Sequence, residues 1–146
     1  MADPVNLTGD IAAAVNTAAT SGHPIAVSYV DHDGYPSTSF RGSAQVYGPE
    51  QLAVWARKPD EGLAAAITDR PEVCLVYFNR ESPGPRYLSF RGRAHVEPAA
   101  KDTVYENMIE GEQRLDPDRR GVAVVIDIEL VQGVGSNGRL EQRHPS

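Results

Sequence analysis

Apolar residues recur along this chain with two different periods, and the switches between them divide it into elements. After the polar residues Asn6, Thr8 and Asp10, the side chains of Ile11, Ala14, Val15 and Ala18 fall at helical spacing. This predicts an amphipathic helix over 7–19, ended by Ser21 and Gly22. Residues 24–31 alternate instead, with Ile25, Val27 and Tyr29 on one face, and Asp33-Gly34 reads as a hairpin turn because glycine supplies the positive φ such turns need. A second strand is predicted over 36–47 and a third over 51–57, where Leu52, Val54 and Ala56 oppose Ala53, Trp55 and Arg57. Asp60 can open a short helix carrying Leu63, Ala64 and Ile67, which must stop before Pro71. A fourth strand covers 72–79, and a fifth covers 86–96 after the Ser82-Pro83-Gly84-Pro85 loop. Pro98 suits the first turn of a helix carrying Val104, Met108 and Leu115. Beyond the polar joint at 116–118, Val124, Ile126, Ile128 and Leu130 alternate with Asp127 and Glu129 in a sixth strand over 122–131.

Hairpin-linked strands interrupted by single short helices lack the β-α-β rhythm of a doubly wound fold, so a mainly β, antiparallel architecture is expected. Six strands of this length close most simply into a barrel, which removes exposed edges. Two strands share their wording: Ser39-Phe40-Arg41-Gly42-Ser43-Ala44-Gln45-Val46 and Ser89-Phe90-Arg91-Gly92-Arg93-Ala94-His95-Val96 repeat Ser, Phe, Arg, Gly, Ala and Val in order. Either similar packing selects similar residues, with glycine where a barrel strand bends, or Arg41 and Arg91 face comparable anion-binding surfaces.

Length and charge narrow the picture. With 146 residues and 40% hydrophobic content, one domain over 1–146 is expected, its ordered core at about 7–133 and a tail at 134–146. A formal net charge of −6 argues against nucleic-acid or anionic-membrane partners, although bases outnumber acids between Arg41 and Arg93, which suits a small anionic ligand. No run reaches membrane-spanning length, and residues 1–6 carry no secretory pattern, so a cytoplasmic protein is expected. Cys74 is the single cysteine, set in an apolar stretch that favours a buried thiol. The four histidines show no metal spacing, and no metal site is expected.

Two motifs are set aside. Residues 133–138 satisfy G-x-G-x-x-G after a strand, but no room follows for the helix that would hold a pyrophosphate. Asp31-His32-Asp33-Gly34 opens like a calcium loop, yet Tyr35 stands at the third ligand position and Gly42 where a bidentate glutamate is needed.

The order of the remaining motifs resembles the pyridoxamine 5′-phosphate oxidase-like split β-barrel family of flavin- and deazaflavin-dependent oxidoreductases. The resemblance rests on the Asp33-Gly34-Tyr35-Pro36 hairpin, the short helix ending at Arg70-Pro71, the Val73-Cys74-Leu75 strand opening, and Gly92-Arg93-Ala94 in the later strand. It covers roughly residues 24–131 and implies a six-stranded antiparallel split β-barrel that forms a homodimer, with two cofactor sites where the copies meet. It further implies FMN, or alternatively the deazaflavin coenzyme F-420, as cofactor and a small organic molecule as substrate. Ser39 and Arg41 then fall on the cofactor-facing side of the second strand, Trp55, Ala56 and Arg57 lie at the end of the third, and Lys58 follows. Trp55 would help wall the ring, while Tyr35, Tyr87 and Arg91 would contact the substrate. The sequence departs from the family at Asp60-Glu61-Gly62-Leu63, where many relatives place serine and a base. Arg57 and Lys58 would then take over the phosphate. The rival expectation is a non-enzymatic barrel that stores a flavin, a haem-like group or another planar ligand.

Overall fold

The computed structural model describes residues 2–145. Its elements run α1 (Gly9–Thr17), β1 (Ile25–Val30), β2 (Pro36–Arg41), β3 (Gln45–Gly48), β4 (Gln51–Ala56), α2 (Gly62–Asp69), β5 (Glu72–Phe78) and β6 (Tyr87–Val96). A 3₁₀ turn (Pro98–Ala100), α3 (Lys101–Asn107), α4 (Glu110–Gln113), β7 (Val122–Gly135) and β8 (Gly138–Arg143) complete the chain. The architecture is mainly antiparallel β, in one eight-stranded sheet ordered β2-β1-β5-β6-β7-β4-β3 with β8 on β7. All strand pairs are antiparallel.

Eight strands replace the expected six for two physical reasons. First, the strand expected over 36–47 breaks at 42–44, so that β2 and β3, neighbours in the chain, end at opposite extremes of the hydrogen-bonded path. The break is a turn in which the Ala44 N–H donates to the Arg41 carbonyl at 3.4 Å. Ser43 Oγ, buried, accepts the Trp55 N–H at 2.9 Å, so a side chain satisfies a backbone donor that β4 offers at the bend. Second, the stretch after Gly133, expected as a tail, continues β7 to Gly135, turns, and returns as β8. The glycines of 133–138 thus serve a hairpin, and a Cβ at Gly133 would run into the Tyr87 carbonyl.

The two echoing segments share residues but not conformation. The first bends at Gly42; the second runs unbroken through Gly92, where the register with β7 slips by a bulge and an added Cβ would strike the Asp127 carbonyl oxygen.

Alternation places the core. Ile25, Val27, Leu75, Leu88, Phe90, Val124, Ile126 and Ile128 point inward with Leu52 and Val54, and α1 and α2 close the ends with Ile11, Val15, Leu63 and Ile67. Strands β4 and β7 are buried on both faces: their outer residues Ala53, Trp55, Ala123 and Val125 pack beneath Val104, Tyr105 and Met108 of the α3 segment. Burial on both sides stabilises these strands by about 25 cal/mol per Å² of apolar surface removed from water. No helix among the described residues is long and apolar enough to cross a membrane.

Candidate functional site

The bend that follows β2 opens into a cleft of about 400 Å³. Its walls are the end of β2 (Ser39, Phe40, Arg41), the bend at Gly42 and Ser43, and the end of β4 with the residues that follow (Trp55, Ala56, Arg57, Lys58). The start of α2 (Glu61, Gly62, Leu63) and the α4 segment (Glu112, Leu115) complete it. All six residues that the sequence nominated for a cofactor, Ser39, Arg41, Trp55, Ala56, Arg57 and Lys58, therefore border one cavity. Register explains two of them: Ser39 and Arg41 stand opposite Val27 and Ile25, both inward-facing, so their side chains share the inner parity of the sheet.

Arg41 carries the largest electrostatic strain in the cleft. Burial lowers its pKa; Tyr29 counters that, the nearby charge of Arg57 adds to it, and Glu112 counters it again. An arginine remains protonated regardless, so the strain persists as a partly desolvated charge. Its Nε is buried with no hydrogen-bond partner. Arg57 forms no ion pair among the described residues, whereas Lys58 lies 3.6 Å from Glu61 in an exposed pair that contributes little to stability. The acidic start of α2 noted from the sequence thus engages one of the three cations and leaves two without partners.

Trp55, expected to help wall the ring, borders the cleft and is held by a separate set of contacts. Its parity on β4 turns it outward beneath α3, where it is 3% exposed and meets Tyr105 edge-on at 5.2 Å between centroids. Its Nε1 donates to Asp116 Oδ2 at 2.9 Å. Asp116 also accepts the Gly121 N–H at 2.8 Å and the Arg120 N–H at 3.0 Å. Burial alone would raise this carboxyl; the Arg120 and Gly121 N–H donors, the indole and the Arg120 charge outweigh it and hold the pKa below the ordinary aspartate value. Trp55 and Asp116 together fasten the segment carrying Glu112 and Leu115 to the barrel.

Leu115, 54% exposed, is an apolar group at the opening, whereas Phe40, 74% exposed, borders the cleft from β2 with the outer parity of that strand. Glu112 and Leu115 were missed in the sequence, because nothing in residues 107–116 marks them as neighbours of β2. Tyr35, Tyr87 and Arg91 are not brought to the cleft within one chain. Tyr35 is 71% exposed beside the β1–β2 hairpin turn, where Asp31 Oδ1 accepts its N–H at 3.0 Å. Tyr87 borders a separate groove with Arg139 and Leu140, and Arg91 projects outward opposite Cys74 and Leu130. Among the described residues no three His, Cys, Asp or Glu side chains are grouped to hold a metal ion.

Neither a protein-family description nor a curated protein matches the sequence. Solved structures do match. A pyridoxamine 5′-phosphate oxidase-related, FMN-binding protein from Nostoc punctiforme is 12% identical with a TM-score of 0.67, over 92% of this chain and 86% of that one. General stress protein 26 from Bacillus anthracis is 15% identical with a TM-score of 0.64, over 92% of this chain and 99% of that one. An F420 reductase is 17% identical with a TM-score of 0.54, over 75% of this chain and 88% of that one. The chain has the split-barrel fold of pyridoxamine 5′-phosphate oxidase-like proteins.

Proposed function

We propose that the cleft at the bend after β2 binds the phosphate end of a flavin-type cofactor, FMN or the deazaflavin F-420, in an oxidoreductase acting on a small organic molecule. The observation that carries this reading is the buried, partnerless Nε of Arg41 beside the unpaired Arg57 in a cavity of ligand size. Guanidinium groups grip phosphate through paired N–H donors, and such charge-assisted bonds are about twice as strong as neutral ones. Arg41, Arg57 and Lys58 would hold the phosphate and the Ser39 hydroxyl would donate to it. Leu115 would flank the ring. The bound group would supply hydride or electron transfer; the protein's part is to bind, orient and exclude water. The fold neighbours that bind FMN or carry the F420 reductase name support the choice of cofactor class.

A second copy of the chain is the proposed partner. Ala26 stands opposite both Phe40 and Val76, and Tyr87 opposite both Phe78 and Val134, all on the outer face of the sheet. Phe40, Phe78, Tyr87 and Val134 are exposed there, an apolar surface of the kind that marks protein association.

The purified protein should absorb in the visible range, and the mass of the released chromophore separates FMN from F-420. Arg57→Ala with Lys58→Ala should weaken binding of that cofactor about 100-fold in a calorimetric titration, two charge-assisted contacts being lost. Unchanged affinity removes both residues from the site. Colour that substrate never bleaches or restores assigns the barrel to ligand storage instead.

A further inference from the structure

Glu112 enters the cleft from α4 and lies over the bend between β2 and β3. A Cβ added to Gly42 would stand 2.8 Å from its Oε2 and 3.0 Å from its Cδ. Among the described residues nothing pairs with this carboxylate, since Lys58 is taken by Glu61. Arg41 is close enough for the two charges to influence each other, yet no salt bridge forms between them. The cleft thus presents an unpaired cation and an unpaired carboxylate in one cavity.

That arrangement is a poor receptor for a bare anion, because Glu112 repels whatever negative charge Arg41 attracts. It suits a ligand with two different ends. An ionised carboxylate only accepts hydrogen bonds, so it seeks a hydroxyl or amine donor, while the guanidinium groups seek an anion. A phosphate fills a small part of about 400 Å³, which leaves room in the same cleft for a polyol chain. The geometry points to Glu112 as the selectivity residue of the cleft, favouring a phosphate ester with hydroxyls on neighbouring carbons over free inorganic phosphate.

This inference rests on the phosphate-binding reading above, and its test separates the two. Ribitol 5-phosphate and inorganic phosphate are titrated calorimetrically against the full chain and against Glu112→Ala. The unaltered protein should prefer ribitol 5-phosphate. In Glu112→Ala inorganic phosphate should bind severalfold more tightly, and the ratio of the two affinities should fall about tenfold, the worth of one hydrogen bond to a charged acceptor. Glu112→Gln, which loses the charge but keeps an acceptor oxygen, should tighten phosphate binding while preserving part of the ratio. If both ligands bind and the ratio is unchanged in Glu112→Ala, this inference falls and the phosphate cradle stands. If neither ligand binds the unaltered protein, both fall.

Discussion

Replacing Asp116 by alanine removes one carboxylate that serves three donors. Two of them, the Trp55 indole N–H and the Gly121 backbone N–H, are buried, while the Arg120 N–H is only partly so and can turn to water. A buried donor left without an acceptor costs about 1–3 kcal/mol, so the two together cost about 2–6 kcal/mol, and relaxation of the 116–121 loop places the expected loss near 3 kcal/mol. For a chain of this size that lowers the melting temperature by roughly 10 °C. Urea unfolding followed by fluorescence measures it directly, because Trp55 is the single tryptophan and sits in the contact being broken. Asp116→Asn is the companion variant. With its carbonyl oxygen in the Oδ2 position it keeps the two buried donors satisfied, and it should lose about 1 kcal/mol. The carboxyl's folded pKa is lowered, so its contribution is complete above the unfolded value of about 3.9 and is lost as pH falls through the folded value. The stability gap between the unaltered protein and Asp116→Asn should therefore close below about pH 4. A loss under about 1 kcal/mol for Asp116→Ala, with Trp55 emission unmoved, would refute the claim that this carboxylate fastens the α4 segment.

Arg41→Met removes a partly desolvated charge and keeps an apolar stem, so stability should hold or rise by up to about 1 kcal/mol while phosphate affinity collapses. A fall in melting temperature would mean that Arg41 is structural. Gly92→Ala drives a methyl into the Asp127 carbonyl and should cost about 3 kcal/mol in denaturant titration. By contrast, Gly42→Ala meets only the movable end of Glu112 and should cost under about 1 kcal/mol. Phe78→Arg places a charge in the outward apolar row; sedimentation should show a dimer for the unaltered protein and a monomer for this variant, and a monomer for both removes the proposed association surface.

Strand β7 was legible because Asp127 and Glu129 alternate with Ile126, Ile128 and Leu130, a period of two that a helix would not give. The hairpin at Asp33-Gly34 was legible because its turn chemistry is local, with Asp31 Oδ1 accepting from both Asp33 and Tyr35 at 3.0 Å. The break at 42–44 was not. Gly42 and Gly92 sit in nearly identical words, and only long-range partners, Ser43 to Trp55 in one case and continued pairing to β7 in the other, separate a bend from a bulge. β8 was hidden because Arg139 to Arg143 offers only Leu140 as an apolar residue, the signature of an edge strand with one side in water. At the candidate site, the cations of strands β2 and β4 could be found from pattern and resemblance. The direction of the Trp55 ring could not, since β4 is apolar on both faces and alternation alone does not say which face meets the barrel interior. Glu112 and Leu115 reach the cleft through tertiary packing that leaves no trace in local sequence.

The make-up of the cleft also bears on how the protein assembles. Its bend at Gly42 is local, but Glu112 and Leu115 come to it from far along the chain. Contacts across such separations are slow to close, so this wall of the cleft should be among the last to form during folding. A molecule held between the end of β2 and the α4 segment would then act as a clasp on the finished fold, slowing its reopening in proportion to how tightly it is held.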